Sequence, residues 1–206
     1  MIFLLGTSHI SPKSIEKIKG FISKEKPDCV AVELDYVRYF SMMNRGKTNP
    51  PGLFLKFLSW IQKKLGKMTG IFPGQEMLEA IKFSGKNNIP VYLIDQDFRT
   101  TVNEIQNITV WEKIKLLFVA FFGSSKSNFD LKEVPSEYLV KEAIILLKEK
   151  FPQMYKILVQ KRNKYMASAI KELDGRYEKI LVVVGAGHIE GLKKLLKDKK
   201  PKTIPW

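Results

Sequence analysis

The chain has 206 residues, 45% of them hydrophobic, and carries a net charge of +14 at pH 7. That length suits one domain and that apolar fraction supplies a core, which excludes a disordered chain. A single cysteine, Cys29, excludes a disulfide framework within the chain and fits a reducing compartment; in its apolar run it reads as a small buried hydrophobe and not as a reactive thiol.

The start, Met1 to Gly6, lacks a basic leader and a long apolar core, so it reads as a first strand and not as a signal peptide. Gly6-Thr7-Ser8-His9 follows. Ser11-Pro12 opens a helix, with Ser11 as N-cap and Pro12 at the first helical position. Ile15, Ile18 and Ile22 form its buried stripe. Cys29 to Val32 is a second strand that runs straight into Glu33-Leu34-Asp35. This strand–helix–strand opening predicts that strands one and two are parallel neighbours.

Tyr36 to Gln75 contains seven basic residues and no acidic one. Within it Ser41 to Gly52 reads as loop and Leu53 to Leu65 as an amphipathic helix. The expectation is one domain over residues 1–206, with 36–73 as a basic helical lid or insertion. Gln75 to Asn87 is a helix with Met77, Ala80, Ile81 and Ser84 inward and Glu76 in its first turn, where a carboxylate suits the dipole. A third strand, Val91 to Ile94, ends at Asp95-Gln96-Asp97, and Thr100 or Thr101 is the expected cap of a short helix.

Trp111 to Phe122 reads as a helix that is apolar nearly all round after Lys115, which calls for burial or docking. Its greasiest part, Leu116 to Phe122, is far shorter than the ~20 residues of a membrane span. No spanning helix is expected, and a soluble, cytoplasmic protein is. Residues 123–128 read as a polar loop. Two helices follow, Ser136 to Lys150 and Pro152 to Leu173. The apolar stripe of the second, Met154, Leu158, Tyr165 and Ala169, passes through Arg162. Such an arginine needs an anionic partner or a ligand, unless it snorkels to the edge. The last long strand, Lys179 to Val184, leads into Gly185-Ala186-Gly187-His188. A short helix then turns Leu192, Leu195 and Leu196 inward, and Thr203 to Trp206 is an edge strand or a tail. The fold class is α/β: a central, mostly parallel sheet of about four to five strands flanked by helices.

The two Gly-x-x-His patterns contain the only histidines of the chain. With 13 glycines in 206 residues, a glycine three places before both arises by chance about 0.004 of the time, which excludes coincidence as the simple account. Both follow apolar runs, so both belong at the carboxyl edge of a parallel sheet, where ligands collect. Four strand ends thus deliver His9, Glu33 with Asp35, Asp95 with Asp97, and His188 to one edge. Two chemistries follow. Two histidines and a carboxylate can hold a divalent ion such as Mn, Co or Zn and activate a water. Alternatively one histidine is a general base oriented by Glu33. The glycines of the turns permit free N–H groups that face an oxyanion, which makes Gly6, Thr7 and Gly185 substrate-binding candidates. Asp95 and Asp97 either join the site or cap the next helix. Gly185-Ala186-Gly187 matches only the opening of a dinucleotide fingerprint, since residue 190 is Glu190, so no nucleotide is expected. The basic excess accompanies no nucleic-acid motif, so nucleic acid is not an expected partner. A peptide or small-molecule substrate is, and peripheral contact with an anionic membrane stays open through the basic segment.

Gly6 to Ser11, Pro27-Asp28 with Val32 to Asp35 and Arg38, Pro73 to Met77 with Ala80-Ile81, Leu93 to Asp97 with Thr100, Arg162-Asn163 with Tyr165 to Ala167, and Val182 to His188 together resemble the TraB pheromone-shutdown family, related to the GumN and Tiki proteins. Gln96 stands where that family usually has arginine. The resemblance implies a fold shared with erythromycin-esterase-like and haem-binding ChaN-like proteins. It also implies a hydrolase, in Tiki-type relatives a metal-dependent peptidase, with His9, Glu33 and His188 as metal or catalytic residues. Glu76 is a further ligand candidate. Arg162 and Arg38 would stabilise a developing anion or a substrate carboxylate, and Asn163, in a matching block, is a substrate-binding candidate. In esterase-like relatives the matching histidine works without metal. A non-catalytic peptide-binding protein would use the same pocket.

Overall fold

The computed structural model describes residues 1–7, 12–43, 74–115 and 137–205. His9, Ser11, the 53–65 helix, Leu116 to Phe122 and the 123–128 loop therefore lie outside the described residues. Five strands make one sheet: β1 (Ile2–Thr7), β2 (Cys29–Val32), β3 (Val91–Leu93), β4 (Ile180–Gly185) and β5 (Lys202–Ile204). Their order is β3-β2-β4-β1-β5 and every pair is parallel. The fold is α/β with helices on the sheet, as the alternation of apolar runs and amphipathic stretches predicts.

One pairing differs from expectation. β1 and β2 are not neighbours; β4 lies between them. The cause is visible in β4 itself, which is buried at all six positions. A strand reading Ile-Leu-Val-Val-Val sends apolar side chains to both faces and is most stable at the centre of a sheet. Ile204 settles the tail as an edge strand, paired with Leu5 of β1.

The helices are α1 (Pro12–Glu25), α2 (Tyr36–Met43), α3 (Gln75–Lys86), α4 (Phe98–Gln106), α5 (Glu137–Lys150), α6 (Pro152–Tyr155), α7 (Arg162–Asp174) and α8 (Ala186–Leu195). On one face of the sheet Ile18 and Ile22 of α1 and Met77 and Ala80 of α3 pack on Val30, Val32, Leu181 and Val183. On the other, Met166 and Ile170 of α7 and Ile189 and Leu192 of α8 pack on Leu4, Ala31, Val182 and Val184. Burial of this kind is worth roughly 1.5–3 kcal/mol per large side chain. Leu195, expected inward, is 37% exposed, while Ile189, about one turn before the buried Leu192, joins the core. Residues 41–43, expected in a loop, are the last turn of α2.

The stretch from Pro152 is not one regular helix. Between α6 and α7 the six residues Lys156–Lys161 are wound as a π-helix. A π turn closes on the fifth residue instead of the fourth, so the buried stripe slips along the sequence. Beyond it the buried positions are Asn163, Met166, Ala167, Ile170 and Leu173. Tyr165, on the stripe that a 3.6-residue period predicts, is 52% exposed.

Candidate functional site

The parallel register sets the level of the site. Thr7 pairs with Gly185 and Val32 with Val183, so β1 and β4 end together and β2 two residues short of them. The Glu33 amide still donates to the Val183 carbonyl at 3.0 Å, which brings its side chain against the first turn of α8. There Glu33 Oε2 accepts the Gly185 N–H at 2.6 Å. Gly185 is the N-cap of α8, so the carboxylate lies at the positive end of that helix. Its other oxygen, Oε1, accepts from Arg162 Nη2 and faces His188 Nε2 at 3.2 Å.

Arg162 is the hub, and its charge is spent inward. Nε and Nη2 grip both oxygens of Asp95, at 3.0 and 2.7 Å, and Nη1 donates to the Leu158 carbonyl in the π-helix at 3.2 Å. Burial alone would lower its proton affinity, but the charges of Glu33 and Asp95 and the hydrogen bonds to them outweigh this and hold it above the ordinary arginine range. The arginine on the stripe therefore has its anionic partners, two of them, and does not snorkel.

Asp95 takes a second guanidinium, Arg38 Nη2, on the oxygen that Arg162 also uses. Arg38 Nε binds Asp35 Oδ2 at 2.5 Å, and Asp35 Oδ1 caps α2 by accepting the amides of Val37 and Arg38 at 2.9 and 3.1 Å. The Arg38 side chain is 31% exposed against 13% for Arg162, so it forms the rim of the cluster. Its Nη1 has no partner among the described residues.

His188 sits in the first turn of α8 with its ring 8% exposed. Nδ1 is 2.6 Å from Asn163 Oδ1. Glu33, beside an arginine and a helix N-terminus, is an acceptor, so two arrangements satisfy the ring by themselves and a third does so only with an ion between the two acceptors. As imidazolium it donates from both nitrogens. With the Asn163 amide turned over, the neutral ring donates from Nε2 alone. With Nδ1 protonated and Nε2 bare, Nε2 and Glu33 Oε1 present two lone-pair donors to one ion.

That last arrangement bears on metal binding. Two ligands of a tetrahedral ion with bonds of about 2.0–2.2 Å lie roughly 3.3–3.6 Å apart. The 3.2 Å between Nε2 and Oε1 is close to this, and an Nδ1–H fixed by an amide carbonyl is how a ligating histidine is held. Among the described residues, however, no three of His, Cys, Asp and Glu converge as a ligand set. Glu76, 1% exposed at the start of α3, is not joined to Glu33 and His188 in such a set.

The structure thus brings together Glu33, Asp35, Arg38, Asp95, Arg162, Asn163, Gly185 and His188. Gly6 and Thr7 belong to β1 and not to a turn, and the Thr7 hydroxyl donates to the Val184 carbonyl. Gly185 has an ordinary backbone, φ −58° and ψ 140°, and its N–H is given to Glu33 instead of facing an oxyanion. Asp97 lies apart: it caps α4 through the Arg99 amide and pairs with the Arg99 side chain. It takes the place expected of Thr100 or Thr101. Asn163, a substrate-binding candidate in the sequence, has its side-chain oxygen on His188 Nδ1. Gly191 of α8, not singled out in the sequence, makes room for it. A Cβ there would lie 2.0 Å from Asn163 Nδ2. A glycine inside a short helix costs roughly 1 kcal/mol against alanine, which was its sequence signal. Cys29 is fully buried in β2, and burial, with a smaller push from Asp28, raises its thiol to about 12, so it is inert as expected.

Comparison with known proteins agrees with the resemblance. The family model described as TraB/PrgY/gumN family matches residues 1–204. An uncharacterized protein, MJ1365, of Methanocaldococcus jannaschii is 37% identical over 95% of the chain and 53% of its own length. TraB domain-containing proteins of Homo sapiens and Bos taurus are each 22% identical over 94% of the chain and 62% of their own length. The chain spans between half and two thirds of the length of these relatives. With a whole-chain family match and a relative of this identity, the chain belongs to the TraB/PrgY/gumN family.

Proposed function

We propose that this chain is a hydrolase of small peptides, with the Glu33–His188 pair as its working centre. The observation that carries this reading is the 3.2 Å contact between an imidazole from the end of the chain and a carboxylate from its beginning, at the carboxyl edge of a parallel sheet. Around the pair each part has a task. Arg162 and the Gly185 amide hold the Glu33 carboxylate in one orientation. Asn163 fixes the ring through Nδ1 and leaves Nε2 as the position where a proton is held or moved. A water admitted between Nε2 and Oε1 would meet a base on both sides. Arg38 at the rim has Nη1 to offer a developing oxyanion or a substrate carboxylate. His9, two residues past the end of β1, is the further catalytic candidate of this reading.

A divalent ion, Mn, Co or Zn, would in this reading be held by Glu33 and His188, with His9 as the further ligand; Glu76, which does not converge with that pair, drops out of the set. The ion would supply a Lewis acid and a water that ionises near neutral pH. A metal-free histidine–glutamate hydrolase would use the same pair. A peptide-sequestering protein is favoured by one observation: Arg162 spends its donors inward and both ring nitrogens of His188 have partners, as in a rigid recognition pocket.

The test is digestion of a defined pool of short peptides by the full chain, purified without a histidine tag, with chelator or with added Mn, Co or Zn. Cleavage products that need metal support the metallopeptidase. Products that survive chelation support the metal-free hydrolase. Peptides retained by the protein and recovered intact would replace catalysis with sequestration.

A further inference from the structure

A cavity of about 260 Å³ lies where α5, α8 and β5 meet. Its floor is apolar: Val140 of α5, Ala186 and Ile189 of α8, and Pro205. Lys141, Glu190 and Lys193 line it as well. Lys193 and Glu190 pair with each other at 3.0 Å and are nearly half exposed, so their charges stay in water at the mouth. The strand register puts the cavity at the level of the Glu33–His188 pair. Ile204 pairs with Leu5, so Pro205 comes level with Gly6, and a Cβ on Gly6 would stand 3.4 Å from the Ala186 Cα. Ala186 directly follows Gly185, whose N–H holds Glu33. Residues 186, 189, 190 and 193 recur at helical spacing and form one side of α8. His188 leaves the helix on the other side, toward Asn163 of α7.

We propose that this cavity is a specificity pocket for the substrate: it takes one aliphatic side chain, such as leucine, of a peptide that crosses the start of α8 to reach Glu33 and His188. The proposal rests on the hydrolase reading and names its substrate class. The volume is below the ~300–1,000 Å³ of pockets that enclose a whole small molecule, which points to one part of a larger ligand. The floor selects an aliphatic group, since a charged side chain would lose its hydration against Val140, Ala186 and Ile189 and gain no partner there. A helix with its side chains is about 10 Å across, and an extended chain covers about 3.3 Å per residue. The pocket therefore reads a residue about three positions from the bond that is cut.

Short peptides of alanine and serine, with a single leucine moved along the series, test it on the full chain. Mass spectrometry gives the bond cut, and calorimetry gives the binding of the same peptides. The cut is expected to follow the leucine at a fixed distance of about three residues. Val140→Phe fills the cavity from α5 and Thr203→Phe fills it from β5. Each should raise KM about tenfold or more, with kcat within about twofold and the melting temperature unchanged. Cuts that ignore the leucine, or a KM that ignores both substitutions, overturn the pocket and leave the hydrolase standing. Leucine-dependent binding that both substitutions weaken, with no peptide cut, supports the pocket and removes the hydrolase. No peptide bound or cut overturns both. A fall in melting temperature on both substitutions would show that the folded chain has no room there, and overturns the pocket as well.

Discussion

Arg162→Met removes the cation that two buried carboxylates share while keeping most of the side-chain volume. The side chains of Glu33 and Asp95 are 3% and 2% exposed, so water cannot replace the lost charge. Breaking a buried pair by deleting one partner costs about 3–5 kcal/mol. Here Glu33 keeps the Gly185 amide and Asp95 keeps Arg38 and the Gln96 amide, which places the loss near the lower end, about 3 kcal/mol. Adding Glu33→Gln to Arg162→Met removes one stranded charge and should recover about 1 kcal/mol or more, a non-additivity that independent sites would not show. Urea unfolding followed by circular dichroism at pH 7 measures both quantities. A loss under about 1 kcal/mol would refute the claim that Arg162 organises the cluster.

Two further outcomes follow from single atoms. Gly191→Ala should push Asn163 away from His188 Nδ1, cost about 1–3 kcal/mol, and shift the imidazole ¹⁵N resonances; unchanged resonances would show that the amide does not hold the ring. Because burial raises Cys29 from 9.0 to about 12, the unfolded chain releases this proton first and stability should fall as pH rises through that window, by about 2 kcal/mol at pH 10.5, against a Cys29→Ala variant that lacks this term. A native thiol that reacts with Ellman's reagent at pH 8 would contradict it.

β1 to β4 were legible because each is a short apolar run that stops at a glycine or an acid, whereas β5, Lys-Thr-Ile before Pro205, read equally as strand or tail. The same stops made Glu33 and His188 visible as residues at the carboxyl edge. The order of the strands was not, because a helical crossover connects parallel strands whether or not a third is placed between them, and only the burial of β4 on both faces decides it. Arg162 was legible as a problem, a charge on an apolar stripe, while its solution lay in Asp95 and Glu33, which come from other elements. The π-helix before it kept Asn163 off the stripe that an α-helical period predicts, which points to Tyr165 instead, so that only the family resemblance drew attention to Asn163. Asp97 shows the opposite limit: an acid after a strand reads equally as site or cap, and here the cap formed.

The central claim is that the Glu33–His188 contact does chemistry. Its most direct test is the cleavage rate of one peptide by the parent chain and by Glu33→Gln, at equal melting temperature. The account predicts turnover by the parent and a loss of about 100-fold or more in the variant, the scale of a missing general base or metal ligand. Turnover that survives Glu33→Gln unchanged would contradict it.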